Sequence, residues 1–315
     1  MALELGMPLL LTGEPGCGKS RLAGSLAWEL GFPGGEPLVF TVKSDTEAKD
    51  LFYRFDTLGR FHAANVGKPG DGREAAETGG QGHDMDPRRF ISYNALGKAI
   101  LQAQGRDTID PRLMLDTARA NYPEQPSRSV VLIDEIDKAP REVPNDILSE
   151  IENMAFEVPE LFHGLRVGLS AAQQKYRPVV VITSNSEREL PPAFLRRCVF
   201  FHMELPPFQA KAGEVSIERI IDKRLRLNRE SHPKFVDEAL GFFQHLRSAD
   251  LAKPPSLAEL LDWLRYLSRG LPADAGLEQH PGLEASLGLL VKSHAGGGQA
   301  ERLLAEWRAT PRHKR

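Results

Sequence analysis

The chain has 315 residues, 41% of them hydrophobic, a length that suggests about two domains. A net charge of −3 and a pI near 6.3 argue against a strongly basic nucleic-acid platform and leave room only for local basic patches. Cys17 and Cys198, without pairing or metal spacing, fit a reducing, cytoplasmic compartment; no stretch nears the ~20 apolar residues of a membrane helix, and residues 1–12 lack the features of a signal peptide.

Residues 8–12 (PLLLT) form a continuous apolar run, which predicts a buried parallel strand. The next eight residues, GEPGCGKS (13–20), fit G-x-x-x-x-G-K-[ST] between a strand and a helix, the setting that motif needs. Gly13, Gly16 and Gly18 let the backbone wrap a phosphate with no Cβ in the way, and Glu14, Pro15 and Cys17 complete the loop. Its N–H groups and the helix N-terminus present partial positive charge. Cys17 stands at a variable position and reads as a small filler rather than a reactive thiol. Lys19 can reach the β- and γ-phosphates of a bound nucleotide, and the Ser20 hydroxyl can ligate Mg²⁺. Residues 19–30 predict a helix with Leu22, Ala23, Leu26, Ala27 and Leu30 on one face, stopped by Gly31.

A second strand is expected at 37–42 (PLVFTV). Residues 59–105 then interrupt the rhythm. Six glycines lie between Gly67 and Gly82, too few apolar groups accompany them to order the segment, and a mobile loop is expected there. Because 90–104 returns to pattern, 59–105 reads as an insertion into an α/β domain.

The run VVLIDEIDKAP (130–140) ends in three acids. Val130 to Ile133 predict a buried strand. Parallel strands deliver their C-terminal ends to one sheet edge, where ligands bind. Asp134, the first residue past the strand, can hold Mg²⁺ opposite Ser20, and Glu135 can orient and polarise an attacking water. Asp137, with Lys138, is expected to face solvent or pack the next turn. Residues 144–156 carry Ile147, Leu148, Ile151 and Met154 at helical spacing. A further strand at 178–183 ends in Thr183-Ser184-Asn185. Asn185 can hydrogen-bond the attacking water or the γ-phosphate, or simply make an Asx turn. LPPAFLRRC (190–198) predicts a short helix ending at Arg196 and Arg197. These either complement the helix dipole or serve a phosphate as an arginine finger. A last strand is expected at 198–205.

After Pro206-Pro207 the strand runs stop. Residues 213–227, 234–247 and 256–269 are amphipathic and helical. Ser256 and Glu259 form a capping box, and Gly270 is a stop. A helical tail at 282–293 and 298–309 is split by the glycines at 296–298.

Together these pieces resemble AAA+ ATPases, and within them the MoxR-like family, over roughly residues 5–270. The specific pieces are PLLLTGEPGCGKS, VLIDEIDKAPREVPNDIL and TSNSERELPPAFLRRC. The resemblance implies Walker A at 13–20, Walker B at Asp134-Glu135, sensor 1 at Asn185, and an arginine finger at Arg197 or, second, Arg196. It implies a five-stranded parallel sheet flanked by helices in residues 1–206, a helical lid at 207–270, and a tail at 271–315. It also implies ATP and Mg²⁺ as cofactors and a ring, usually a hexamer, whose finger enters the neighbouring subunit's site. Where the family often carries a sensor 2 arginine, this chain has Leu257, Ala258 and Glu259. The implied role is remodelling of a protein partner, such as one with a von Willebrand A-type domain. The alternative is a motor on nucleic acid, a helicase loader or restriction-type translocase; the near-neutral charge and the lack of a basic–aromatic stripe count against it.

Overall fold

The structure, a computed structural model, describes residues 1–32, 34–66, 86–162, 164–185, 188–209, 214–292 and 296–309. Packing divides the chain into two units, Met1–Thr12 with Lys19–His202, and Gly13–Gly18 with Met203–Arg315.

The first unit runs α1 (Ala2–Leu5), β1 (Leu9–Gly13), α2 (Lys19–Glu29), β2 (Leu38–Thr41), β3 (Tyr53–Phe55), α3 (Thr57–Val66), β4 (Ile91–Tyr93), α4 (Ala95–Gln104) and α5 (Asp116–Arg119). It continues through β5 (Val130–Asp134), α6 (Val143–Asn153), β6 (Ala155–Val158), β7 (Leu165–Gly168), β8 (Val179–Thr183), α7 (Pro192–Leu195) and β9 (Val199–Met203). Five strands form one parallel sheet in the order β2-β5-β8-β1-β9, flanked by helices, as expected. In the register, Leu132 of β5 stands between Val39 of β2 and Val181 of β8, and Leu10 of β1 pairs with Ile182. Because the strands are parallel, Asp134 and Thr183 leave the sheet at the same edge.

The apolar runs differ in burial according to place. Central β8 is buried throughout, as helices on both faces require. Edge strands β2 and β9 leave Val39, Phe200 and Phe201 about half exposed. An apolar run alone does not distinguish centre from edge. On α2 the expected stripe is narrower: Ala23 and Ala27 are buried while Leu22 and Leu30 are exposed, because the helix lies on its small residues.

Two expectations change. The insertion is shorter than 59–105. Leu96, Ile100 and Leu101 of α4 are fully buried in the core that holds Val131 and Ile133, so α4 is a core helix. A Cβ at Gly97 would collide with the Phe52 carbonyl, which shows how closely α4 lies on its neighbour. Ahead of it, β3 and β4 pair antiparallel with Tyr53 opposite Tyr93. The expected mobile loop falls on residues 67–85, outside the described ones. Second, the helix expected over 144–156 stops at Asn153. Met154 takes a left-handed conformation (φ 45°), and β6 then pairs antiparallel with β7. The alternation in AFEV, buried at Phe156 and Val158, marks the strand.

The second unit is helical: α8 (Ile217–Leu225), α9 (Pro233–Ser248), α10 (Leu257–Leu267), α11 (Leu283–Ser286) and α12 (Gly296–Ala309). Phe235, Phe242, Phe243 and Trp263 are fully buried, and Leu283, Leu287, Leu304 and Trp307 enter the same core. The Phe242 ring lies 5.2 Å from that of Trp307, and Trp263 Nε1 donates to Ser286 Oγ at 2.9 Å. The glycines at 296–298 open α12 rather than divide two helices. The expected capping box begins α10: Ser256 Oγ accepts the Glu259 N–H, and the Glu259 carboxylate accepts the Ser256 N–H at 2.7 Å.

Candidate nucleotide site

Within the first unit, strands β5 and β8 bring together residues far apart in sequence. Ser20, one residue into α2, donates from Oγ to Asp134 Oδ1 at 2.8 Å across 114 positions. Thr183, the last residue of β8, donates to the same oxygen at 2.5 Å and accepts the Glu135 N–H at 2.9 Å. Asn185 donates from Nδ2 to Glu135 Oε1 at 3.2 Å. Lys138 Nζ pairs with Glu135 Oε2. Asp134 and Glu135 are partly buried, and Lys19, at the start of α2, is only 6% exposed.

Two members of this cluster were not read from the sequence. Thr183 looks like the end of a β-branched strand, and no spacing rule singles it out. Asp137 was expected to face solvent or pack the next turn. It is instead 3% exposed and accepts the Asn185 N–H at Oδ1, at 3.3 Å. The short turn over Ile136–Lys138 carries its side chain inward, and a buried carboxylate requires such donors. Lys138 stays exposed but turns back on Glu135.

Within the second unit, the loop from Gly13 to Gly18 holds its three glycines at φ of 138°, 78° and 102°, values that side-chain-bearing residues rarely adopt. A Cβ at Gly16 would lie 2.6 Å from Ala258 Cβ. Ala258, an exposed residue, is one of those standing where a sensor 2 arginine was looked for. Arg247, in the last turn of α9, instead reaches the loop: it donates to Glu14 Oε1 at 2.8 Å and to the Pro255 carbonyl at 2.7 Å. Sequence reasoning missed it, because an arginine in a last helical turn reads as a dipole partner. Pro15 is exposed. Cys17 is buried, as a filler residue would be, its Sγ 3.4 Å from where a Gly13 Cβ would stand.

The two arginines after α7 are both exposed. Arg197 Nε pairs with Glu152 Oε1 of α6 at 3.0 Å, and Arg196 is the C-cap residue of α7. Neither meets the cluster around Glu135 through any contact among the described residues. Cys198 beside them is buried, which pushes its thiol up to about 12, so it is inert at neutral pH.

The set suits a hydrated Mg²⁺: one hydroxyl and one carboxylate, hard oxygen donors already at hydrogen-bond distance. Such an ion keeps several waters and phosphate oxygens as its remaining ligands.

A five-stranded parallel sheet with a glycine-rich strand-to-helix turn after one strand and acids at the end of another defines a P-loop nucleotide-binding protein. Residues 8–198 match the AAA domain family, dynein-related subfamily, and the chain belongs to that family of P-loop ATPases. No curated protein matches the chain. Among solved structures it is similar to NtrX from Brucella abortus (15% identity, TM-score 0.44, covering 96% of this chain and 56% of that one). It is also similar to Hsp104 in a closed state with ATPγS and FITC casein (17% identity, TM-score 0.39, covering 84% and 40%). The chain therefore spans about half the length of these relatives or less.

Proposed function

We propose that this ATPase is a Mg²⁺-dependent, MoxR-like member of its family that works as a cytoplasmic ring, usually a hexamer, to remodel or activate a protein partner. The observation that carries the chemistry is the 2.8 Å contact from Ser20 to Asp134, which joins the end of the glycine-rich motif to the acid that ends β5. In this reading the loop Gly13, Glu14, Pro15, Gly16, Cys17 and Gly18 cradles the phosphates with its N–H groups. Lys19 neutralises the β- and γ-phosphates. Ser20 and Asp134 would hold Mg²⁺, whose charge would offset the negative charge that develops on phosphoryl transfer. Glu135 takes the proton of the attacking water, and Asn185 orients that water or the γ-phosphate. Arg197, or in second place Arg196, enters a neighbour's site as the finger.

Residues 1–206 are then the nucleotide-binding domain, 207–270 the lid and 271–315 a tail. The partner, for instance a protein with a von Willebrand A-type domain, is engaged through segments that vary on the shared core, such as the insertion and the tail. The net charge of −3 supports a protein partner over nucleic acid.

The test is phosphate release and nucleotide retention. Wild type is expected to hydrolyse ATP with Mg²⁺ and to change little with added DNA across a salt series. Glu135→Gln is expected to fall by about 10²-fold or more while retaining bound ATP. A wild type without ATPase activity overturns the reading. Strong, salt-sensitive DNA stimulation replaces the partner class with nucleic acid.

A further inference from the structure

The Thr183 hydroxyl stands between Asp134, the last residue of β5, and Glu135, the residue after it. It donates its one hydrogen to Asp134 Oδ1 at 2.5 Å and accepts the Glu135 N–H at 2.9 Å. An ionised carboxylate only accepts and an amide N–H only donates, so a single hydroxyl satisfies both, with its direction fixed. Thr183 is 1% exposed, so bulk water does not compete for either bond. Glu135 itself has φ 62° and ψ 49°. That left-handed conformation is unfavourable for a residue with a side chain and persists only where its surroundings over-determine it. The Thr183 oxygen is one such constraint, fixed on the N–H of the strained residue. A second tie runs the other way, from the Asn185 N–H to Asp137. The ends of β5 and β8 are thus cross-linked through side chains just where their ladder stops, one step beyond the pairing of Ile133 with Ile182.

We infer that Thr183 is a positioning residue for ATP hydrolysis. It turns Asp134 toward Ser20 and holds the Glu135 backbone in the turn that presents its carboxylate to Asn185. This rests on the roles proposed above for Asp134 and Glu135. Thr183 touches neither nucleotide nor water in this account; it acts through the two acids. Loss of the hydroxyl leaves an N–H without its acceptor and lets both carboxylates drift, and small misplacements of reacting groups cost about 10²-fold in rate.

Thr183→Val keeps the shape and removes both bonds, whereas Thr183→Ser keeps both bonds and removes a methyl. The experiment measures steady-state ATP hydrolysis, equilibrium binding of a fluorescent ATP analogue, and thermal unfolding. Thr183→Val is expected to lose about 30-fold or more in kcat, with the KM for ATP and the analogue affinity within about threefold of wild type. Thr183→Ser is expected to stay within about threefold of wild type in every readout. The inference is overturned if the valine variant turns over at the wild-type rate. It is also overturned if the serine variant is as defective as valine, or if nucleotide affinity falls as far as kcat. Should the valine variant not fold at the assay temperature, Thr183→Ala at lower temperature takes its place with the same expected and overturning results. A wild type that hydrolyses nothing defeats the ATPase reading instead, so the two failures are distinguishable.

Discussion

A methyl group added at Gly16 meets two obstacles at once, the Ala258 side chain 2.6 Å away and a backbone held at φ 78°. Gly18, at φ 102°, has open space where its Cβ would stand and meets only the second. Gly16→Ala is therefore expected to weaken ATP binding by about tenfold or more, since the loop must open to admit the methyl. Equilibrium titration with an ATP analogue checks this, and wild-type affinity would show that the loop does not use this conformation to bind. The two residues illustrate how far single letters can be read. The glycines of GEPGCGKS are legible because their spacing encodes a backbone path. The neighbour that crowds Gly16 is not, because Ala258 lies more than two hundred positions away. Asp137 is the converse case: its letter suits a wet turn, and only the partner across the sheet edge, the Asn185 N–H, explains its burial.

Helix α10 shows the same division for a whole element. Its start was legible as S-x-x-E, and both hydrogen bonds of the box form. Glu259 is pulled two ways. Burial raises its carboxyl, while the Ser256 N–H, Lys292 and the Ser256 hydroxyl lower it and win, leaving it below its ordinary value of 4.5. A depressed carboxyl contributes stability that is present above the ordinary value and is lost as the pH falls through the lowered one. Glu259→Gln, which keeps the shape but not the charge, is expected to reduce stability at neutral pH by about 0.3–1 kcal/mol. The difference should shrink progressively below pH 4.5. Urea unfolding of both proteins over a pH series tests this; a gap independent of pH would mean that the charge is not what caps the helix. The misread elements, the end of α6 and the place of α4, share a cause. Periodicity marks an apolar face but not what that face meets, and Met154 ends α6 through its backbone conformation rather than through a glycine or proline signal.

For the whole molecule, the exposed pair of Arg197 and Glu152 is the telling feature. Both side chains are half exposed, and such pairs stabilise a fold by about 0–1 kcal/mol, so Arg197 has little structural reason to stand there. If it acts in a neighbour's site, two defective proteins should repair each other. Subunits with Arg197→Ala retain an intact Glu135, and subunits with Glu135→Gln retain an intact finger. Mixed in equal amounts, they are expected to hydrolyse ATP well above the sum of the two alone, because an arginine finger is worth about 10³–10⁵ in rate. Simple addition of the separate rates would place the role of Arg197 within its own chain or remove it.

The sequence by itself determined the class of chemistry, because that chemistry depends on local patterns. A strand run, a glycine-rich turn and a lysine–serine pair at a helix start are contiguous, and the acids follow directly on another apolar run. It also determined the parallel sheet, since continuous apolar strands alternating with helices bury no other way. Tertiary structure decided which side chains share a hydrogen bond. Strand order placed β5 beside β8 and so put Thr183 between Asp134 and Glu135, and Asp137 under Asn185. It also decided which apolar runs became edges, and which arginine, Arg247, reaches Glu14. Contacts of that kind follow from the closing of the sheet and the packing of the helices, which no spacing along the chain records.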